Sequence, residues 1–364
     1  MKKRIFALLS SSLVAILFFA SCAAPKIKNV DIVLPPPPEE PKIFYVGTYK
    51  GESSFKETNF LDSFIGEVTG GADADLYKPY GVSTFQNLIY VTDTALRAVF
   101  AINPKADKKK KEKNVILLGD KAPGQLSLPA GVANDKEGNL YVADTKAKKV
   151  FGYDKSGNMI LAIGKEDEFV RPAGLAINNE LERMYIVDTK AHDVKVYSLK
   201  GEALFNFGKR GIGDGEFNFP TNAAVDQKSG NVIVVDTQNF RYQVFDKDGK
   251  FISKMGSAGD KPGNFSRPKG VGIDSDGHIY VADSAFNNVQ IFDDKGNVLL
   301  YFGGAGQQEG QFTLISGIHV DENDRIYIVD SFNARVQMFQ YVSENWKSKF
   351  PDEYKELKDK DYYK

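Results

Sequence analysis

Apolar residues in this chain gather in short runs rich in Val, Ile, Tyr and Phe, separated by Gly, Asn and Asp, a patterning that predicts strands joined by tight turns. One arrangement returns six times: an apolar strand ending in Asp, then Thr or Ser, then a second strand with an apolar residue six positions after the Asp. The copies are Ile-Tyr-Val-Thr-Asp93, Leu-Tyr-Val-Ala-Asp144, Met-Tyr-Ile-Val-Asp188, Val-Ile-Val-Val-Asp236, Ile-Tyr-Val-Ala-Asp283 and Ile-Tyr-Ile-Val-Asp330. These aspartates stand 51, 44, 48, 47 and 47 residues apart, a period that fits four short strands per unit and predicts propeller blades.

Each unit opens on an inner strand introduced by Pro-x-Gly, at Pro79-Tyr80-Gly81, Pro129-Ala130-Gly131, Pro172-Ala173-Gly174 and Pro268-Lys269-Gly270, with Pro220-Thr221-Asn222 and Ile315-Ser316-Gly317 as degenerate copies. The strand ending in Asp follows, then one such as Arg241-Tyr242-Gln243-Val244-Phe245, and last an outer strand leading to Gly119, Gly164, Gly208, Gly256 or Gly303. Only five outer strands follow six sets of the other three. Ile43-Phe44-Tyr45-Val46-Gly47 matches Leu299-Leu300-Tyr301-Phe302-Gly303 in pattern and supplies the sixth. The expected fold is all-β: a six-bladed β-propeller of four-stranded antiparallel blades over residues 42–342, its last blade closed by the N-terminal strand so that no sheet edge stays open at the seam.

The segments Asp236-Thr237-Gln238-Asn239-Phe240-Arg241-Tyr242-Gln243-Val244-Phe245 and Asp330-Ser331-Phe332-Asn333-Ala334-Arg335-Val336-Gln337-Met338-Phe339 carry a resemblance to the NHL-repeat family. That resemblance implies the propeller and says little about activity, because NHL propellers include lyases, hydrolases, RNA binders and pure interaction modules.

The amino terminus adds a location. Lys2, Lys3 and Arg4 precede an apolar run from Ile5 to Phe19, which reads as an export signal too short for a permanent span. Phe19-Ala20-Ser21-Cys22 resembles the lipobox of bacterial lipoproteins, with Phe19 where that family usually has Leu, and the resemblance implies a covalent lipid on Cys22. Cys22 is the only cysteine, so no internal disulfide can form. The expected division is a signal peptide over 1–21, a proline-rich stalk over 22–41, the propeller over 42–342 and a polar tail over 343–364 in which Pro351 starts a short helix and Trp346 and Phe350 are placed to dock it. Ala23 stands where inner-membrane retention signals usually place Asp, so the lipoprotein resemblance favours the outer membrane of a two-membrane envelope. The 47 basic and 48 acidic side chains nearly cancel, and with an export signal they argue against nucleic acid as a partner.

A feature repeated in every blade belongs to the blade, so Asp93, Asp144, Asp188, Asp236, Asp283 and Asp330 are read as turn formers that accept hydrogen bonds from nearby amides. Function is sought where the repeat breaks. Between Gly47 and Pro79, 31 residues replace linkers of seven to eleven, and they carry Phe55, Phe60, Leu61, Phe64 and Ile65. This insertion, expected on the face of the Asp turns, is either a partner-docking loop or lid, or a surface loop packing its own apolar residues. On the opposite face Lys108, Lys109, Lys110, Lys111 and Lys113 lengthen a turn, as a site for anionic lipid or an acidic partner or as a solvated charge run. The second residue after Pro-x-Gly is Ser83, Ala133, Ala176, Ala224, Gly272 and then His319. His319, with Asn134 and Asn222, is the channel candidate, either as ligand or base or as a plug.

Three histidines in different blades make no metal-ligand motif, and Asp246-Lys247-Asp248-Gly249 and Asp274-Ser275-Asp276-Gly277 lack the twelfth-position Glu of a calcium loop. Nucleophile elbows, phosphate loops and dinucleotide fingerprints are absent, so no catalytic residue, metal site or cofactor beyond the lipid is assigned. A divalent cation has no support in the residues. The expected function is that of a monomeric, lipid-anchored cell-envelope binding or scaffold protein presenting a propeller face to a protein or glycan. The alternative is a metal-dependent hydrolase or lyase at the channel mouth.

Overall fold

The computed structural model describes residues 32–36, 39–56 and 74–359. The expected propeller is present: five sheets of four antiparallel strands and a sixth sheet to which the N-terminal strands contribute. Blade 1, taken as the pattern, consists of Pro79–Phe85, Leu88–Asp93, Ala98–Ile102 and Val115–Leu118, from the axis outward. Blades 2 to 6 begin at Pro129, Pro172, Pro220, Pro268 and Ile315.

Burial along the strands follows from this radial order. The second strand of blade 2, Leu140–Asp144, is buried at every position, because both faces of a blade pack against neighbouring blades. The outer strand Met159–Ile163 alternates instead. The core is consequently divided into six apolar layers between adjacent blades rather than gathered into one mass. Tyr141 and Val150 of blade 2 meet Leu175 and Ile186 of blade 3 in one such layer. The layer that closes the ring joins Tyr327, Val329 and Val336 of blade 6 to Val82, Ile89 and Phe100 of blade 1.

Blade 6 is built from both ends of the chain. Ile43–Tyr49 pairs antiparallel with Arg335–Tyr341, from Ile43 opposite Tyr341 to Tyr49 opposite Val336. Outside it, Val33–Leu34 pairs with Phe44 and Ile43 and makes this the one five-stranded sheet among the described residues. Part of the segment read as stalk is therefore strand. The tail read as polar carries two helices, α1 (Glu344–Lys349) and α2 (Pro351–Asp359). Ser343 caps α1 by accepting the Trp346 amide. Trp346 is buried against Val33, Phe44 and Val342, with Phe350, Tyr354 and Leu357 packed around it. The apolar partners of the tail come from the far end of the chain.

All six turn aspartates are fully buried. Asp93 shows the common role: one oxygen accepts the Tyr77 and Lys78 amides of the incoming linker at 2.6 and 2.8 Å, the other the Ala95 and Leu96 amides of its own turn at 3.0 and 2.9 Å. Every such turn then places one non-glycine residue in the left-handed region, at Arg97, Lys148, His192, Phe240, Asn287 and Ala334. Asp236 and Asp330 add a buried ion pair, with Arg241 and Arg335 each donating through Nε at 2.8 Å. Arg335 Nη2 also donates to the Gln308 and Gln311 carbonyls, which ties the linker ahead of blade 6 to its third strand.

Removing one partner of a buried pair leaves the other charge stranded, so Asp330→Ala should cost about 3–5 kcal/mol. Adding Arg335→Met to that variant should restore part of the loss. Urea unfolding of the single and double variants checks both, and a single-variant loss below about 1 kcal/mol would contradict the pairing described here.

Candidate functional site

The inner strands enclose an axial cavity of about 620 Å³, within the size range of small-molecule sites. Its lining runs from Tyr80 and Ala173 near the Asp-turn face to the first hairpin turns of the blades, at Gln86, Lys136, Asn179, Gln227, Ser275 and Glu322. It therefore opens on the face opposite the Asp turns. The neck of the insertion after Gly47 stands with the Asp turns and the lysine loop with this mouth, because alternate turns of an antiparallel blade fall on alternate faces.

That mouth is braced turn to turn. The Lys136 amide donates to Asn179 Oδ1 at 2.9 Å, the Asn179 amide to Gln227 Oε1 at 3.2 Å, Lys228 Nζ to the Ser275 carbonyl, and the Ser275 amide to Asp324 Oδ1 at 2.7 Å. This chain of bonds runs from blade 2 to blade 6 and leaves blade 1 out.

His319, Asn134 and Asn222 all line the cavity, and each is already engaged. His319 Nε2 is 2.9 Å from Thr84 Oγ1 across the seam between blades 6 and 1. Ser83 Oγ donates to Asn134 Oδ1 at 2.9 Å between blades 1 and 2, and Asn222 Oδ1 accepts the neighbouring Ala223 amide. Burial pushes the His319 pKa down to about 4, which holds the imidazole neutral at pH 7. His319 with Thr84 and Asn134 with Ser83 stitch blades together around the channel, and the first of these bonds leaves His319 one ring nitrogen with which to meet a ligand.

The other histidines lie apart. His192 is buried in its turn, where Nδ1 accepts the Phe219 amide at 3.1 Å. His278 Nδ1 lies 2.8 Å from Asp274 Oδ2, and that hydrogen bond raises its pKa. Among the described residues no group of three or more His, Cys, Asp or Glu side chains is placed to hold a metal ion.

The insertion is zipped at its neck, where the Glu52 amide donates to the Ala74 carbonyl, the Ser53 amide to Asp75 Oδ1 and the Leu76 amide to the Lys50 carbonyl. Phe55 stacks on Tyr49 at 6.0 Å and packs on the layer between blades 6 and 1, as a self-packing loop would have it. Phe60, Leu61, Phe64, Ile65 and Cys22 lie outside the described residues. The lysine loop folds back on itself: the Asp107 amide donates to Glu112 Oε2 and the Lys109 amide to Asp107 Oδ1, with Lys109, Lys110, Lys111 and Lys113 exposed around this acidic pair. For Lys108 only its place in the turn Lys108–Lys110 is defined.

The x of Pro-x-Gly escaped the sequence reading. It is Ala130, Ala173, Thr221 and Ser316 in four blades, and Tyr80 and Lys269 in the other two. Lys269 Nζ lies 6.0 Å from the centre of the Tyr80 ring, although blade 6 stands between their blades, so both reach over the channel. The signal was available: two bulky residues in a row of small ones.

A family model described as a 6-bladed beta-propeller matches residues 273–355. No curated protein matches the chain. Among solved structures the chain is similar to a gluconolactonase from Xanthomonas campestris, at 15% identity and TM-score 0.56 over 73% of this chain and 87% of that one. It is similar also to an auxiliary nutrient binding protein from Bacteroides thetaiotaomicron, at 14% identity and TM-score 0.56 over 74% and 71%, and to a virginiamycin B lyase from Staphylococcus aureus, at 10% identity and TM-score 0.52 over 73% and 95%. At such identities the likeness establishes the six-bladed propeller and nothing finer.

The neutral His319 gives a test of the site's geometry. The unfolded chain takes up a proton near pH 6.5 that the folded imidazole refuses until about pH 4, so stability should fall as pH drops through that window. His278 acts in the opposite sense, its contribution being present at low pH and lost as pH rises through its raised value. Comparing urea midpoints of the wild type and His319→Gln between pH 4 and 6.5 isolates the first effect. Parallel profiles would show that the ring is not held as described.

Proposed function

We propose that the chain is an exported, lipid-anchored propeller of the NHL kind that works as a binding or scaffold module in the cell envelope, presenting a face to a protein or glycan. One observation carries this reading: the polar side chains of the channel wall are spent on bonds between blades, as in Thr84 with His319 and Ser83 with Asn134, which makes a rigid, preformed surface. The structural neighbours divide between enzymes and a binding protein, so the fold leaves the choice to the site. The anchor rests on the lipobox-like Phe19-Ala20-Ser21-Cys22, and the outer membrane on Ala23. The insertion, zipped at its neck, is the preferred docking element.

Cys22→Ser should move the protein from the membrane fraction to the soluble fraction of lysed cells, and a protein that stays with the membrane would end the anchor reading. Crosslinking in intact cells should recover an envelope partner that is lost when residues 57–73 are replaced by a short Gly-Ser link. Retention of every partner by that variant would rule out the insertion as the docking element.

A further inference from the structure

The Asp-turn end of the channel gathers cations that have no counterions among the described residues. On the Asp-turn face the residues that precede the inner strands are Lys78, Leu128, Arg171, Phe219, Arg267 and Leu314, all exposed and alternating between cationic and apolar around the ring. Arg171 and Arg267 stand on blades 3 and 5, and Lys269, two residues beyond Arg267, turns inward to the Tyr80 ring. Lys78 turns aside instead, with Nζ 5.9 Å from the centre of the Tyr77 ring. None of Arg171, Arg267 and Lys269 makes a side-chain hydrogen bond or ion pair among the described residues. The nearby carboxylates are spoken for, since Asp188 and Asp283 are fully buried and accept the backbone amides of Arg171 and Arg267.

The frame beneath these side chains is fixed. Thr221 Oγ1 donates to the Lys269 carbonyl at 3.0 Å and Thr237 Oγ1 to the Pro268 carbonyl at 2.8 Å, both from blade 4. Ser316 and Ser331 hold the Tyr80 and Pro79 carbonyls in the same way, at 2.7 and 2.6 Å from blade 6. A half-buried ammonium facing two guanidiniums is costly unless an anion joins it. Burial first, and then Arg267 and Arg171, hold the Lys269 pKa below the ordinary lysine range, with no carboxylate acting against them. Arg171 reaches the Tyr80 hydroxyl electrostatically as well, so contributions from blades 1, 3 and 5 converge on the axis.

We propose that this end of the channel is an oxyanion-binding site in which Lys269, Arg171 and Arg267 hold a carboxylate or phosphate group above the Tyr80 ring. Leu128, Phe219 and Leu314, spaced between the cations, offer apolar contact to the uncharged part of the same ligand. The site deepens the binding role by naming a ligand chemistry, and it rests on that role only in taking the ligand to be something held rather than transformed.

The test is calorimetric titration of the full-length chain in detergent, at low ionic strength, with inorganic phosphate and with glucuronate. Binding of either supports the site, and which one binds separates a phosphoryl ligand from a carboxylate. Lys269→Ala, which installs the residue blades 2 and 3 already carry, and Arg171→Gln should each weaken that binding by at least about ten-fold. A variant with Lys109, Lys110, Lys111 and Lys113 changed to Gln, on the other face, should bind as the wild type does. Failure of both anions to bind, or binding unchanged by Lys269→Ala and Arg171→Gln, overturns the site. A protein that still captures its envelope partner while binding neither anion loses this inference and keeps the binding role.

Discussion

A carboxylate that water cannot reach must be bonded on every side, and this chain meets that demand six times. Asp93, Asp144, Asp188 and Asp283 gather backbone amides from their own hairpin and from the linker arriving from the previous blade. Asp236 and Asp330 take a linker amide and an Asn side-chain amide of their own turn, so in every case one side chain fixes where its blade's inner strand begins. The channel is a consequence of that placement. The residues at its Asp-turn end sit directly after those fixed linkers, and there Tyr80 and Lys269 meet across the axis. In blades 4 and 6 the same carboxylate also holds an arginine, and the arginine holds the linker carbonyls.

The two ends of the channel differ in what they have left over. At the mouth opposite the Asp turns, hydrogen bonds pass from turn to turn across blades 2 to 6. At the Asp-turn end the backbone is just as well tied, yet three cationic side chains make no hydrogen bond or ion pair among the described residues. Regular bonding builds the disc, and unspent charge on a rigid frame is what a disc can offer a ligand.

The sequence revealed the ring readily because a repeat is written six times, and the strand count alone required Ile43–Tyr49 to complete blade 6. The outermost strand and the docked tail were harder to read, since Val33 beside a proline run and Trp346 in a charged tail look unpartnered until the chain's ends are brought together. His319 was found as the single bulky residue in a row of small ones, but its bond to Thr84 depends on which blades adjoin at the seam and how the strands are staggered there. Lys269 and Tyr80 were legible by the same logic three positions earlier. Reading one row of the inner strands and not the other hid them. Phe55 kept both of its readings until its stacking on Tyr49 was visible, because an apolar residue in an insertion has no register to betray its direction.

Closing the last blade with residues from opposite termini also sets an order of events during synthesis. The partner of Ile43 is Tyr341, so the early strand waits, with one edge unpaired, until almost the whole chain has been made. Contacts this distant in sequence slow folding far more than they weaken the finished structure.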